Sequence, residues 1–175
     1  MPSSKHPTGF YYYASGHPVD LTLDLNWLAI DTRQFNAAGT SPRLQATLLK
    51  DARPLRGDLI LVKRQLVTPK QLDALTRHGA AHPVFQSKGA LLIALPEVRV
   101  EESSSQRRRA LVRWIRDHAD IAEIVEDDGN KFVLRPTSGQ GADAITLANQ
   151  LVEQIGPELA QPRFLRVVEH FGAVI

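Results

Sequence analysis

Apolar and polar positions along the chain change period several times, and each change marks an element. In "FYYYASGHPVDLTLD" an aromatic run and the alternating Val19, Leu21 and Leu23 flank Ala14-Ser15-Gly16-His17, which predicts a β-hairpin. "NWLAIDTR" at 26–33 alternates again and predicts a strand before the Gly39/Pro42 break. Ser41-Pro42 then supplies a cap and a proline at the first helical position, with Leu44, Leu48 and Leu49 following at helical spacing. "DLILVKRQL" predicts a short apolar strand over 58–66. Thr68-Pro69 repeats the cap-and-proline signal, and Leu72, Leu75 and His78 share one helical face until Gly79.

"AHPVFQSKGALLIALP" predicts strand, glycine turn and strand, and "EVRVEE" alternates so that Val98 and Val100 face one way and the acids the other. Ser103–Ser105 can cap a helix carrying Ala110, Leu111, Trp114, Ile115 and His118 on one face and arginines elsewhere. "AEIVEDDGNKFVLRP" predicts a second hairpin through Asp128-Gly129-Asn130. "GADAITLANQLVEQ" lines Ala144, Leu147, Ala148 and Leu151 along one helical face, and "PRFLRVV" closes as a strand.

The order in 98–168 is strand, helix, strand, strand, helix, strand, that of a ferredoxin-like unit. Residues 27–87 spell the same order with one middle strand missing. "AHPVF" and "AQPRF" repeat one phrase, setting Ala81, Pro83 and Phe85 against Ala160, Pro162 and Phe164; upstream, "LILVKRQ" aligns with "FVLRPTS", Leu59 against Phe132. The expected fold is α+β, two tandem ferredoxin-like (βαββαβ) units, the first degenerate, preceded by a hairpin. The expected divisions are a lead-in at 1–9, the hairpin and degenerate half at 10–96, the second half at 97–168, and a tail at 169–175.

A hydrophobic content of 43% over 175 residues provides for a core. A formal charge of only +2 gives no global pull toward nucleic acid or an anionic membrane. With no cysteine there is no disulfide frame or thiolate chemistry. No apolar run approaches the roughly 20 residues that span a bilayer, and the opening MPSSKHPTGF lacks the apolar region of a signal peptide, so a cytoplasmic location is expected. His78 and His82 have the spacing of a helical metal pair, but Gly79 and Pro83 prevent one helix from holding both. "TSGQGAD" lacks the Lys-Ser/Thr ending of a phosphate-binding loop and reads as a plain connection. No nucleophile setting or carboxylate pair stands out. The chain is expected to bind rather than catalyse, without metal or cofactor.

Three stretches together, "FYYYASGHPVDLTLDLNWLAI", "HPVFQSKGALLIALPEVRVE" and "KFVLRPTSGQGADAITLANQLVEQIGPELAQPRFL", resemble the N-terminal prodomain of fervidolysin-like, subtilisin-like serine peptidases. The resemblance implies a ferredoxin-like inhibitor or folding chaperone of such a peptidase, its sheet packed on the enzyme and its last strand leading a tail into the substrate cleft. The residues then implicated are Phe164, Arg166, Val168, His170, Phe171, Ala173, Val174 and Ile175. The peptidase domain itself is not in the chain, so the partner would be met in trans, or in cis if the chain is a fragment. The alternative is an adaptor in a protein assembly that docks through Arg108 and Arg113 of "RRRALVRWIR"; nucleic-acid binding by that helix is a weaker reading, because neighbouring acids nearly cancel its charge.

Overall fold

The computed structural model describes residues 9–168. The opening hairpin is β1 (Phe10–Ala14) and β2 (His17–Leu23), joined by Ser15 and Gly16. Both turn residues have positive φ, 50° and 79°, the two-residue geometry that matches strand twist. Then come β3 (Trp27–Asp31), α1 (Pro42–Lys50), β4 (Arg53–Pro54), β5 (Leu59–Lys63), α2 (Pro69–Arg77) and β6 (Ala81–His82). The second half holds β7 (Val84–Ser87), β8 (Ala90–Glu101), α3 (Ser105–Asp117), β9 (Ala122–Asp128), β10 (Lys131–Pro136), α4 (Gly141–Gln154) and β11 (Leu159–Val168).

The caps explain the helix starts. The Ser41 hydroxyl accepts from the Leu44 amide, Thr68 and Gln71 cap each other reciprocally, and Ser104, the middle serine of its run, caps α3. The strand expected over 58–66 stops at Lys63, and Arg64–Leu66 form a 3-10 turn. Among the described residues no helix is long and apolar enough to cross a membrane.

Two antiparallel sheets carry the fold, making it mixed α+β. One has four strands in the order β4-β5-β3-β6. In the other, β8 is flanked by β10 and then β9 on one side and by β11 on the other, while β7, β2 and β1 extend from its first half. The strand missing from the sequence reading of the first half is β4, two exposed residues with no apolar pattern to betray them. With it, residues 27–82 and 90–168 each spell βαββαβ, and each set of four strands lies in the spatial order second, third, first, fourth.

The ladders fix the correspondence between halves. Ile30 pairs with Ala81 and Ile60 as Val100 pairs with Ala160 and Phe132. Ile60, not Leu59, is therefore the counterpart of Phe132. The sequence alignment is one residue out there, and in a strand one residue exchanges the two faces. Alignment at Ala81 and Ala160 stands. The repeated proline marks a break in both copies: after Pro83 the chain leaves the four-stranded sheet for the larger one, and at Pro162 the β11–β8 register shifts around a bulge at Leu95-Pro96-Glu97.

Four layers result. α1 and α2 cover one face of the small sheet through Leu48 and Leu75 against Ile30 and Val62. Its other face, Ala29 and Leu61, packs on Val84, Ile93 and Val167 of the large sheet. The far face of the large sheet carries α4 and α3, with Val100, Phe132, Leu134, Trp114 and Leu151 buried together. The sheets thus do not part at 96/97: β8 runs through that point, and β1, β2 and β7 join the sheet of the second half.

Several expected faces are corrected. Glu102 is fully buried, its carboxylate accepting from the Ser104 amide at the start of α3, rather than pointing to solvent with Glu101. Leu49 is exposed, and so is Ala110, which leaves the α3 core to Leu111, Trp114 and Ile115. His118 ends that helix and stacks on Trp114 with ring centroids 4.0 Å apart.

Candidate functional site

Where the small sheet ends, the large one continues, and a cleft of about 720 Å³ opens between them. Asp31 at the end of β3, Arg33, Arg56 and Asp58 line it from the small sheet. Glu97 in the β8 bulge, Arg135 of β10 and Arg163 of β11 line it from the large one. Its floor includes His82 and two abutting loops, His78-Gly79 and Thr137-Ser138-Gly139. A Cβ on Gly79 would stand 2.9 Å from the Gly139 carbonyl oxygen, on a backbone of φ 67°, so glycine allows the loops to meet.

His82 is 2% exposed, and its Nδ1 lies 3.3 Å from the amide nitrogen of Gly141 at the start of α4. An amide can only donate, so Nδ1 is unprotonated and Nε2 carries the hydrogen. Burial holds the imidazole down, at about 4, against the opposing pull of Asp31. Burial also works to raise the Asp31 carboxyl, but hydrogen bonds from Arg33 outweigh it and hold the group below its ordinary value. The Arg33 guanidinium spans that carboxylate at 3.0 and 2.7 Å and reaches Asp58 at 3.5 Å. Glu97 accepts from Arg163 at 2.7 Å and lies 3.7 Å from Arg135. Ser138 accepts from the Gln140 amide, and its own hydrogen has no acceptor among the described residues.

Chemically this is a cleft of fixed donors. His82 cannot take a proton through Nε2, its Nδ1 is spent on the backbone, and among the described residues it makes no hydrogen bond with Ser138, so the two do not form a base and nucleophile pair here. The structure places His78 at the end of α2 and His82 in β6, on no common helix. Among the described residues no group of three or more His, Asp or Glu side chains is arranged for a metal.

The residues singled out from sequence fall elsewhere. Arg108 is tied inward, 3.2 Å from Asp127 and with its guanidinium 5.3 Å from the centre of the Phe132 ring. Arg113 is exposed beside Arg109, Val112 and Arg116 along a shallow groove. Phe164 is half-buried on the helix side of β11, its ring 5.2 Å from that of Tyr12. Arg166 and Val168 are exposed. His170, Phe171, Ala173, Val174 and Ile175 lie outside the described residues. Sequence reasoning misses the cleft, although it touches several of its members: it weighs His78 and His82 only as a metal pair, sets Thr137-Ser138-Gly139 aside as a plain connection, and meets Arg163 only in a repeated phrase.

A second feature is a face. In the small sheet the outward pair Ala29–Leu61 is buried by the large sheet. The equivalent pair in the second half is Arg99–Val133, flanked by exposed Glu126, Lys131 and Arg163, and no described element covers it. Compared with known proteins, the chain matches no family model, no curated protein and no solved structure.

Proposed function

We propose that the chain is a non-catalytic, prodomain-like protein of two tandem ferredoxin-like units, whose second unit binds a subtilisin-like serine peptidase as inhibitor, folding chaperone or both. The carrying observation is the uncovered outer face around Arg99 and Val133, when the matching face of the first unit is buried. A four-stranded sheet with helices on one side only offers the other side to a partner, and the mixed charges on this one suit a surface that is also exposed to water. The common strand order of the two halves supports the fold reading. The edge strand β11, laddered only to β8 among the described residues, supports docking of main chain along that edge.

The test measures hydrolysis of a chromogenic peptide by a subtilisin-like peptidase, and that enzyme's refolding yield, with the full chain, the chain ending at Val168, and the full-length Val133→Asp variant. The expected result is slowed hydrolysis or improved refolding with the full chain, weakened at least tenfold by Val133→Asp and by truncation. No effect of the full chain on either readout overturns the reading.

A second reading, an adaptor docking through α3, is favoured by one observation. Val112 is 41% exposed within a groove edged by Arg109, Arg113 and Arg116. Its test reverses Arg113 and spares Arg108, whose charge holds the β9–β10 hairpin: an assembly partner that co-purifies with the chain and is lost on Arg113→Glu supports it. Steeply salt-dependent binding of nucleic acid would instead identify that helix as a phosphate-contacting surface.

A further inference from the structure

We propose that the cleft between the two sheets is a binding site for a small molecule bearing a singly charged oxyanion, a carboxylate or a phosphodiester. This inference does not rest on the peptidase partner. It comes from counting donors and acceptors. The three carboxylates of the cleft are already engaged: Asp31 by both arms of the Arg33 guanidinium, Asp58 by the same arginine, and Glu97 by Arg163 and Arg135. The donors are not used up. Arg56 has no ion-pair partner among the described residues. Among the described residues Arg135 meets only Glu97, at 3.7 Å, which leaves most of its five N–H groups without an acceptor there. The Ser138 hydroxyl hydrogen also has no acceptor among the described residues.

His82 supplies the second, independent observation. It is an almost wholly buried polar side chain in the cleft wall, and Nε2 has no hydrogen-bond partner among the described residues. Because the Gly141 amide fixes the tautomer, that nitrogen can only donate. Nε2 is not sealed off from the cleft, so a ligand oxygen entering there would accept its hydrogen in place of solvent. Four arginines against three carboxylates leave a surplus of one positive charge, which matches a monoanion better than a phosphate dianion. The volume is that of a small-molecule site rather than of a single ion, so the anionic group would occupy one end and the rest of the ligand would lie on Leu95 and Leu165.

The experiment is an amide and side-chain NMR titration of the full chain with sodium acetate, and separately with dimethyl phosphate, both at constant ionic strength against sodium chloride. The expected result is saturable shifts at the His82 ring and the Gly139 and Gly141 amides with at least one of the two anions. Arg135→Gln should weaken the response at least fivefold, whereas Arg113→Gln, on α3, should leave it unchanged. His82→Asn, which keeps an acceptor for Gly141, controls for misfolding and should also weaken binding. A response to acetate but not to dimethyl phosphate assigns a carboxylate ligand; the reverse assigns a phosphodiester. Shifts equal to those in chloride, or unaltered by Arg135→Gln, overturn the site.

Discussion

Burying an imidazole beside a helix start gives His82 a thermodynamic signature. Its folded value of about 4 lies below its ordinary 6.5, so below pH 6.5 the unfolded chain takes up a proton that the folded one refuses. Stability from this residue is therefore complete above pH 6.5, falls as the pH drops toward 4, and is fully lost below that. The loss is about 3 kcal/mol for a shift of this size. The charged group that acts on it is Asp31, held by Arg33, and Arg56, Asp58, Glu97, Arg135 and Arg163 line the same cleft. Asn presents an acceptor where Nδ1 stands and does not titrate. His82→Asn should flatten the stability profile between pH 7 and 4.5 in urea denaturation; an unchanged slope would mean that the ring takes up its proton as readily in the folded state as in the unfolded one. None of this is legible in "AHPVF", because a lone histidine in sequence does not reveal which amide will face it.

At the scale of elements, helices and hairpins are legible where local chemistry decides them. Ser41-Pro42, Thr68-Pro69 and the Gly129 turn announce themselves by caps and dihedral needs. β4 is hidden because two residues carry no period, and β8 reads as two pieces because Pro96 resembles a stop, although here it sits in a bulge. Alternation also says which face is apolar but not what will cover it. The opening hairpin is an example, since its neighbour is α4. The Tyr11 and Tyr13 hydroxyls donate to Glu153 at 2.9 and 3.0 Å, and Asn149 donates to the Tyr11 carbonyl at 2.8 Å. Burial, aided by Glu153, pushes the Tyr11 phenol up to about 12. Asn149→Ala should cost about 1 kcal/mol and speed amide exchange across β1 and β2, leaving β3 and β5 protected as before. Equal acceleration in β3 would mean that the contact supports the whole molecule rather than the hairpin.

For the whole molecule, the decisive feature is that the two halves share an apolar layer and that β8 serves both the hairpin-bearing and the helix-backed parts of the large sheet. Such an arrangement should unfold as one body. Each half carries one tryptophan: Trp27 borders the layer between the sheets, and Trp114 lies in the core under α3. Single-tryptophan variants, Trp27→Phe and Trp114→Phe, should each show urea transitions by fluorescence and circular dichroism with matching midpoints. Two separated midpoints within either variant would mean that the halves are thermodynamically independent. The same layer constrains synthesis on the ribosome. Every strand of the small sheet has emerged once residue 82 is out, yet Ala29 and Leu61 must wait for β8 and finally β11 to cover them. A nascent chain halted before Leu159 would therefore hold out an unshielded greasy surface, an invitation to chaperones or to clumping that the finished protein never extends.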